Sequence, residues 1–244
     1  MTDVPASVDP AVFAAQPEYV ALIVLVEGIA NGPSDERSAA LLDAAERHLR
    51  ARGLSRAAEH PHVAAWRAAF SAFGAKPSKY LCSAEALAGR VLKGAALPRV
   101  NVLVDTYNAV SVRALTPIGG EDLDRLDGAL RLTIARGDEP FDGPDGPPRP
   151  GEVVWRDDAG VTCRRWNWRQ GRRTQLTEAT TRAFFIFDRL PGLGEDELDA
   201  AASQLESQLR ARWPGCSIRR VRLDRDHPVA TSEASGRLRL GPWA

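Results

Sequence analysis

Residues Tyr19–Gly28 read YVALIVLVEG. An unbroken apolar and β-branched run of this length, closed by a glycine, reads as a buried strand. Its core, Val20–Val26, is the longest apolar run in the chain. It falls well short of the roughly 20 residues of a membrane-spanning helix, so no span is expected. A chain of 244 residues, 44% apolar and 26% charged, can enclose such a strand as an ordinary globular protein near the upper size of one domain.

The other elements follow from period and punctuation. Residues 1–18 read as a loose lead-in. A helix is expected from Ser34 to about Arg52, closing at Gly53, with Ala39, Leu41, Leu42, Ala45 and Leu49 as its apolar stripe. His60–Ala72 repeats the helical pattern and stops at Gly74. Ser83–Leu92 is a further helix with Ser83 as its cap, and Asn101–Leu115 another, ended by Pro117. From residue 129 the period changes. Ala129–Ala135, Glu152–Arg156, Val161–Trp168 and Arg182–Phe187 read as strands, with a hairpin turn at Asp157–Gly160. Gly194–Trp213 is an amphipathic helix, Cys216–Leu223 a last strand, and the tail from Asp224 peripheral. The sum is one layered α+β domain of mixed sheet and helices. Residues 1–58 read as a strand–helix extension packed on a main domain of residues 59–224, with 225–244 as tail.

The stretch Asn101–Leu126, NVLVDTYNAVSVRALTPIGGEDLDRL, carries an apolar face, the hydrogen-bonding cluster Asp105, Thr106, Tyr107 and Asn108, and a Gly119–Gly120 turn into Glu121 and Asp122. Recognition of a polar ligand needs rigid donors and acceptors and a backbone that allows close approach. The same residues also suit a capped helix and a plain turn, and the two readings stand level. A second candidate is Gly160–Thr177, which holds Arg164, Arg165, Arg169, Arg172 and Arg173, with Trp166 and Trp168 around Asn167, and no acid. Arginine for phosphate and a flat aromatic for base stacking form a nucleic-acid pattern. An edge hairpin with inward tryptophans and solvated arginines has the same sequence. Lys76 and Lys79 flank a proline beside Tyr80 and make a basic loop that could touch RNA or merely be solvated.

Several classes find no support. Formal net charge is zero, so bulk charge does not draw the chain to nucleic acid. Cys82, Cys163 and Cys216 are scattered and odd in number, which fits a reducing cytoplasm. The acidic N-terminus MTDVPASVDP lacks a signal-peptide pattern. No Cys or His pair has metal-ligand spacing, and there is no nucleophile elbow, Walker motif or dinucleotide fingerprint. Neither metal nor cofactor is expected.

Val104-Asp105-Thr106-Tyr107-Asn108, followed by Pro117-Ile118-Gly119-Gly120-Glu121-Asp122 and later by Gln175-Leu176-Thr177-Glu178, resembles the tRNA-editing domain of the bacterial phenylalanyl-tRNA synthetase β subunit. That family carries a Val-Asp-x-Thr-Asn segment, a Pro-Leu-His-Ala-Phe-Asp segment and a Val-Thr-Glu step. The likeness spans roughly residues 60–215. Phe73-Gly74-Ala75-Lys76-Pro77-Ser78-Lys79-Tyr80 and Arg164–Gln170 are similar to the free-standing members, among which are deacylases of canavanyl-tRNA(Arg). Gly119 takes about the place of the synthetase histidine, and Trp166–Gln170 replaces its Gly-Gly-Glu segment, so the amino-acid pocket is rebuilt.

The resemblance implies hydrolysis of the ester between a wrong amino acid and tRNA, with the aminoacylated acceptor end as partner. Tyr107 and Asn108 would then orient ester and water, and the Gly119 and Gly120 amides would serve the oxyanion. Asp105, Thr106, Glu121, Asp122, Trp166 and Asn167 would bind the amino acid. Lys76, Lys79, Tyr80, Arg164, Arg165, Arg169, Arg172 and Arg173 would meet the tRNA.

Overall fold

The computed structural model describes residues 4–230. Its elements in chain order are β1 (Ala6–Val8), α1 (Pro10–Ala15), β2 (Val20–Glu27), α2 (Glu36–Ala51), α3 (Pro61–Ala72), α4 (Ser83–Leu92), α5 (Val102–Ala114), β3 (Ile118–Asp122), β4 (Leu130–Ile134), β5 (Val153–Arg156), β6 (Val161–Arg164), β7 (Arg169–Gln170), β8 (Arg182–Arg189), α6 (Glu195–Arg212), β9 (Ser217–Leu223) and β10 (Val229–Ala230). This is an α+β fold with two sheets. One is six-stranded, in the order β10-β1-β4-β5-β6-β7. The other is four-stranded, β3-β8-β2-β9.

The apolar run 20–26 is explained by its place. In β2, Ala21, Ile23 and Leu25 join a core that also takes Leu132, Val153 and Trp155 from the six-stranded sheet. Val20, Leu22, Val24 and Val26 join a second core with Leu103 and Val110 of α5 and Leu198 and Leu205 of α6. The four-stranded sheet is therefore covered on both faces, by a sheet on one side and helices on the other, so no position of β2 needs to be polar. A third core ties α2, α3, α4 and α5 together through Leu42, Val63, Ala88 and Val112.

The structure corrects several expectations. The lead-in is β1 and α1; β1 sits between β10 and β4, and α1 is capped by Asp9. β2 lies between β8 and β9, and its residues join two of the cores. The α2 cap is Asp35, whose carboxylate accepts the Ser38 amide at 2.8 Å, in place of Ser34. The α4 cap is Cys82, in place of Ser83. Gly119 and Gly120 lie inside β3, where glycines leave room for neighbours, and make no turn. The strand expected over Val161–Trp168 stops at Arg164. Of the expected tail, Val229 and Ala230 form β10 against β1; residues 231–244 lie outside the described residues. No helix among the described residues is long and apolar enough to cross a membrane.

Candidate active site

The site is built where α5 hands over to β3. Asn101 caps α5, its side-chain oxygen accepting the Val104 amide at 3.0 Å. The helix ends at Leu115, which takes the left-handed conformation (φ 51°) and reverses the chain into Thr116, Pro117 and β3. β3 is the edge strand of its sheet, paired with β8 on one side; on the other, Glu121 bridges Gln175 and the Asp122 amide donates to the Thr174 carbonyl at 2.8 Å. Tyr107 and Asn108 from α5 and Gly119 and Glu121 from β3 then face one cavity of about 260 Å³. Glycine at 120 makes the Tyr107 position possible: a Cβ there would stand 2.9 Å from the tyrosine ring.

The opposite wall is the turn after β6. Arg165 (φ 46°) and Trp166 (φ 66°) are both left-handed non-glycine residues, a conformation that costs roughly 1–2 kcal/mol per residue and needs outside support. Arg165 supplies it. Its guanidinium pairs with Glu152 at 2.7 Å, and lies 3.9 Å from the Tyr80 ring centre and 4.4 Å from that of Trp168. The turn is also fixed to α4, since the Asn167 carbonyl accepts the Ser83 amide at 3.1 Å. So held, Trp166, Asn167 and Trp168 line the cavity with Trp155, Cys163, Gln170 and Asp188.

Two carboxyl groups line this cavity. Asp188, on β8, accepts the Tyr19 hydroxyl at 2.5 Å and the Asn167 amide at 3.1 Å. Burial pushes it up to about 7, against those two hydrogen bonds, which lower it. Glu121 is buried too, and burial pushes it up to about 7. The Thr174 and Thr162 hydroxyls beside it act the other way, but they stand outside regular hydrogen-bond geometry, and Glu121 Oε2 has no partner. Burial likewise pushes the Tyr107 phenol and the Cys163 thiol up, so Cys163 stays protonated and makes a poor nucleophile.

Residues 65–193, more than half of the chain and the span that holds the cavity, match the model of the B3/4 domain. The chain belongs to the B3/4 domain family. It is the family of the phenylalanyl-tRNA synthetase β subunit. A solved N-terminal fragment of the phenylalanyl-tRNA synthetase β subunit from Pyrococcus horikoshii is similar to this B3/4 protein at 12% identity with a TM-score of 0.49. The similarity covers 91% of this chain and 54% of that one, so the chain spans about half the length of the fragment. No curated protein matches the chain.

Within the B3/4 domain, other expected ligand residues turn away from the cavity. Asp105 accepts the Ser38 hydroxyl at 2.8 Å and the Val100 amide at 2.9 Å, which ties α5 to α2. Thr106 donates to the Val102 carbonyl. Asp122 accepts the Thr180 hydroxyl at 2.7 Å and the Asp124 amide at 3.0 Å. All three are engaged in internal hydrogen bonds and are absent from the cavity lining. Gly120 does not line the cavity, although its carbonyl accepts the Gln170 side chain at 2.8 Å on the outer edge of β3. Strand alternation places the Gly120 amide on that outer edge and the Gly119 amide on the β8 side.

The arginines divide sharply. Arg164 is 2% exposed and is held by Glu152 at 2.8 Å and by the Asp145 and Gly146 carbonyls. Arg165 is buried in the clasp described above. Arg173 forks onto Asp157 at 2.7 and 2.8 Å. These three, expected at the tRNA, are engaged in ion pairs within the fold. The segment Gly160–Thr177 holds no acid of its own, but the fold brings Glu152 and Asp157 to it. Arg169 is half-exposed and pairs with Asp145 at 3.1 Å. Lys76, Lys79 and Arg172 are exposed, and Tyr80 is half-buried beside Trp168.

Sequence reasoning missed Asp188, Gln170, Trp155 and Cys163 in the cavity. Asp188 had a signal. An acid directly after the apolar run Phe184–Phe187 continues a buried strand, and a buried acid needs a reason.

Proposed function

We propose that this B3/4 domain is a trans-acting aminoacyl-tRNA deacylase that hydrolyses the ester of a mischarged tRNA in the cytoplasm, with canavanyl-tRNA(Arg) as the favoured substrate. One observation supports the reading most. Tyr107, Asn108, Gly119 and Glu121 share a cavity with Trp166, Asn167 and Trp168 of the arginine-rich hairpin, and Trp168 packs on Tyr80 of the basic loop, ring centres 4.9 Å apart. An amino acid seated in the cavity would leave its tRNA end beside Lys76, Lys79, Arg169 and Arg172.

The ester is already activated, so the reaction asks the protein to place water against the carbonyl and to steady the oxyanion. Asn108 and Tyr107 orient ester and water. Of the two glycine amides, that of Gly119 is directed at β8, so that of Gly120, on the side of β3 where Gln170 reaches its carbonyl, would serve the oxyanion. Glu121 meets the side-chain end of the amino acid, and the tryptophans cover its stem. No covalent nucleophile is needed, in keeping with the protonated Cys163.

The test is a deacylation panel with canavanyl-tRNA(Arg), arginyl-tRNA(Arg) and tyrosyl-tRNA(Phe). Release of canavanine with arginine retained is the expected result. Release of tyrosine alone would replace the substrate. Binding of all three with no release would sink the deacylase reading and favour a tRNA-binding module, a reading supported by the absence of any histidine from the cavity lining.

A further inference from the structure

With Asp188 ionised, the Asn167 side chain has one orientation open to it. An amide can offer a ligand either its oxygen or its NH2 group, and the neighbour decides which. Here the neighbour is Asp188, 2% exposed, one oxygen of which accepts the Tyr19 hydroxyl and the other the Asn167 Nδ2. A carboxylate between two donors accepts from both. Asn167 must therefore give its NH2 to Asp188 and keep its oxygen turned from it. That oxygen is buried and has no partner. The backbone of the residue is held as well: its main-chain N–H donates to the Arg165 carbonyl at 2.8 Å and its carbonyl accepts the Ser83 amide.

Glu121 is the second such group. It is 3% exposed, lines the same cavity, and its Oε2 has no partner. The Trp155 and Trp166 indole N–H groups and the Ser83 hydroxyl on the same lining also lack a regular partner, but the indoles stand beside buried acceptors of the protein, Trp155 by Asp188 and Trp166 by Tyr19. Glu121 on β3 and Asn167 on the turn after β6 are the acceptors of the lining left without a regular donor. Buried acceptors without donors are rare and are satisfied by whatever fills the space beside them.

We infer that the cavity selects amino-acid side chains that end in N–H donors, with Glu121 and Asn167 as the recognising acceptors and Asp188 as the residue that positions Asn167. A donor-ended side chain satisfies both acceptors. One of the same length without donors leaves both unpaired and is rejected. Asp188 acts through Asn167, and Tyr19 serves only to occupy the other Asp188 oxygen. The inference rests on the reading that the cavity holds the aminoacyl group.

The test titrates the full chain with free canavanine and with norleucine, which has the same backbone groups and a shorter side chain without donors, following tryptophan fluorescence. Canavanine is expected to bind at least about 10-fold more tightly. Glu121→Gln and Asn167→Leu should each cut that ratio to below about 3-fold while the norleucine affinity stays put. Asp188→Asn should cut it similarly, because the amide partner no longer dictates how Asn167 is turned. Tyr19→Phe, which leaves the Asp188–Asn167 bond in place, should preserve it. Equal binding of the two probes by the wild type, or a ratio untouched by Glu121→Gln and Asn167→Leu, overturns the inference. If the preference is found and no aminoacyl-tRNA is hydrolysed, the inference stands and the deacylase reading fails. If a tRNA charged with norleucine is hydrolysed as fast as canavanyl-tRNA(Arg), the inference fails and the deacylase reading stands.

Discussion

Gly120 lies beneath the ring of Tyr107: a Cβ at position 120 would stand 2.9 Å from Tyr107 Cε1, and equally close to Leu176 and Phe185. The neighbouring Gly119 has nothing within 4 Å of the same construction. Two adjacent glycines therefore have different duties. Gly120→Ala should cost about 1–3 kcal/mol of stability, as overpacking does, and move Tyr107 off the cavity wall. Gly119→Ala should change stability by less than about 0.5 kcal/mol. Urea denaturation of both variants checks the contrast, and a similar loss in the two would refute it.

Asp188 ionises near 3.8 in an unfolded chain and is raised to about 7 in the fold. A raised acid contributes stability that is full below the unfolded value and is lost as pH climbs through the folded one. Asp188→Asn removes that dependence. Its stability relative to wild type should rise with pH between about 4 and 7, on the order of 1 kcal/mol per pH unit, and level off above. Glu121→Gln should show the same sign. Denaturation curves from pH 5 to 8 decide it; a difference that is flat with pH would contradict the assignment.

His62 works in the opposite sense. Nδ1 donates to the Leu115 carbonyl at 3.0 Å, and Nε2 accepts from the Trp66 indole and the Leu190 amide, both at 3.1 Å. A ring with two donors aimed at Nε2 has nowhere to add a proton, and burial lowers its pKa from 6.5 to about 4. The unfolded chain takes up the proton first, so this contribution is full above about 6.5 and is lost as pH falls toward 4. Its size is roughly 3 kcal/mol. The stability gap between wild type and His62→Gln should shrink across that window, as measured by thermal melts.

The arginines and lysines should separate by phenotype. Arg173→Ala leaves Asp157, 0% exposed, without its forked partner and should cost on the order of 3 kcal/mol. Lys76→Ala with Lys79→Ala should leave stability unchanged. In a tRNA-binding assay that pair should lower the slope of log affinity against log salt by about 1 for each phosphate contact removed. An unaltered slope would remove the basic loop from the interface.

How much of this the sequence discloses depends on distance along the chain. The helix over residues 102–114, its stop before Pro117 and the strand over residues 20–27 are written in local period and punctuation. So is the juxtaposition of Tyr107, Asn108 and Glu121, since one helix and the following strand carry all three. The arginine hairpin is misread for the same reason. Arg164 and Arg173 find their partners at Glu152 and Asp157, outside the segment, and only the β5–β6 pairing brings them together. Asp188 is separated from Tyr19 by almost the whole domain, and no local pattern joins them. The left-handed pair Arg165–Trp166 breaks the expected strand because a distant tyrosine and glutamate hold it, which residue preference alone opposes.

Position 119 has a consequence for descent with modification. On β3, a Cβ added there would meet nothing within 4 Å, while one at position 120 would meet three side chains. The free volume of the cavity is thus adjustable at a single codon, with the surrounding architecture left alone. Exchange of that one residue would narrow the cavity, and glycine is the widest setting.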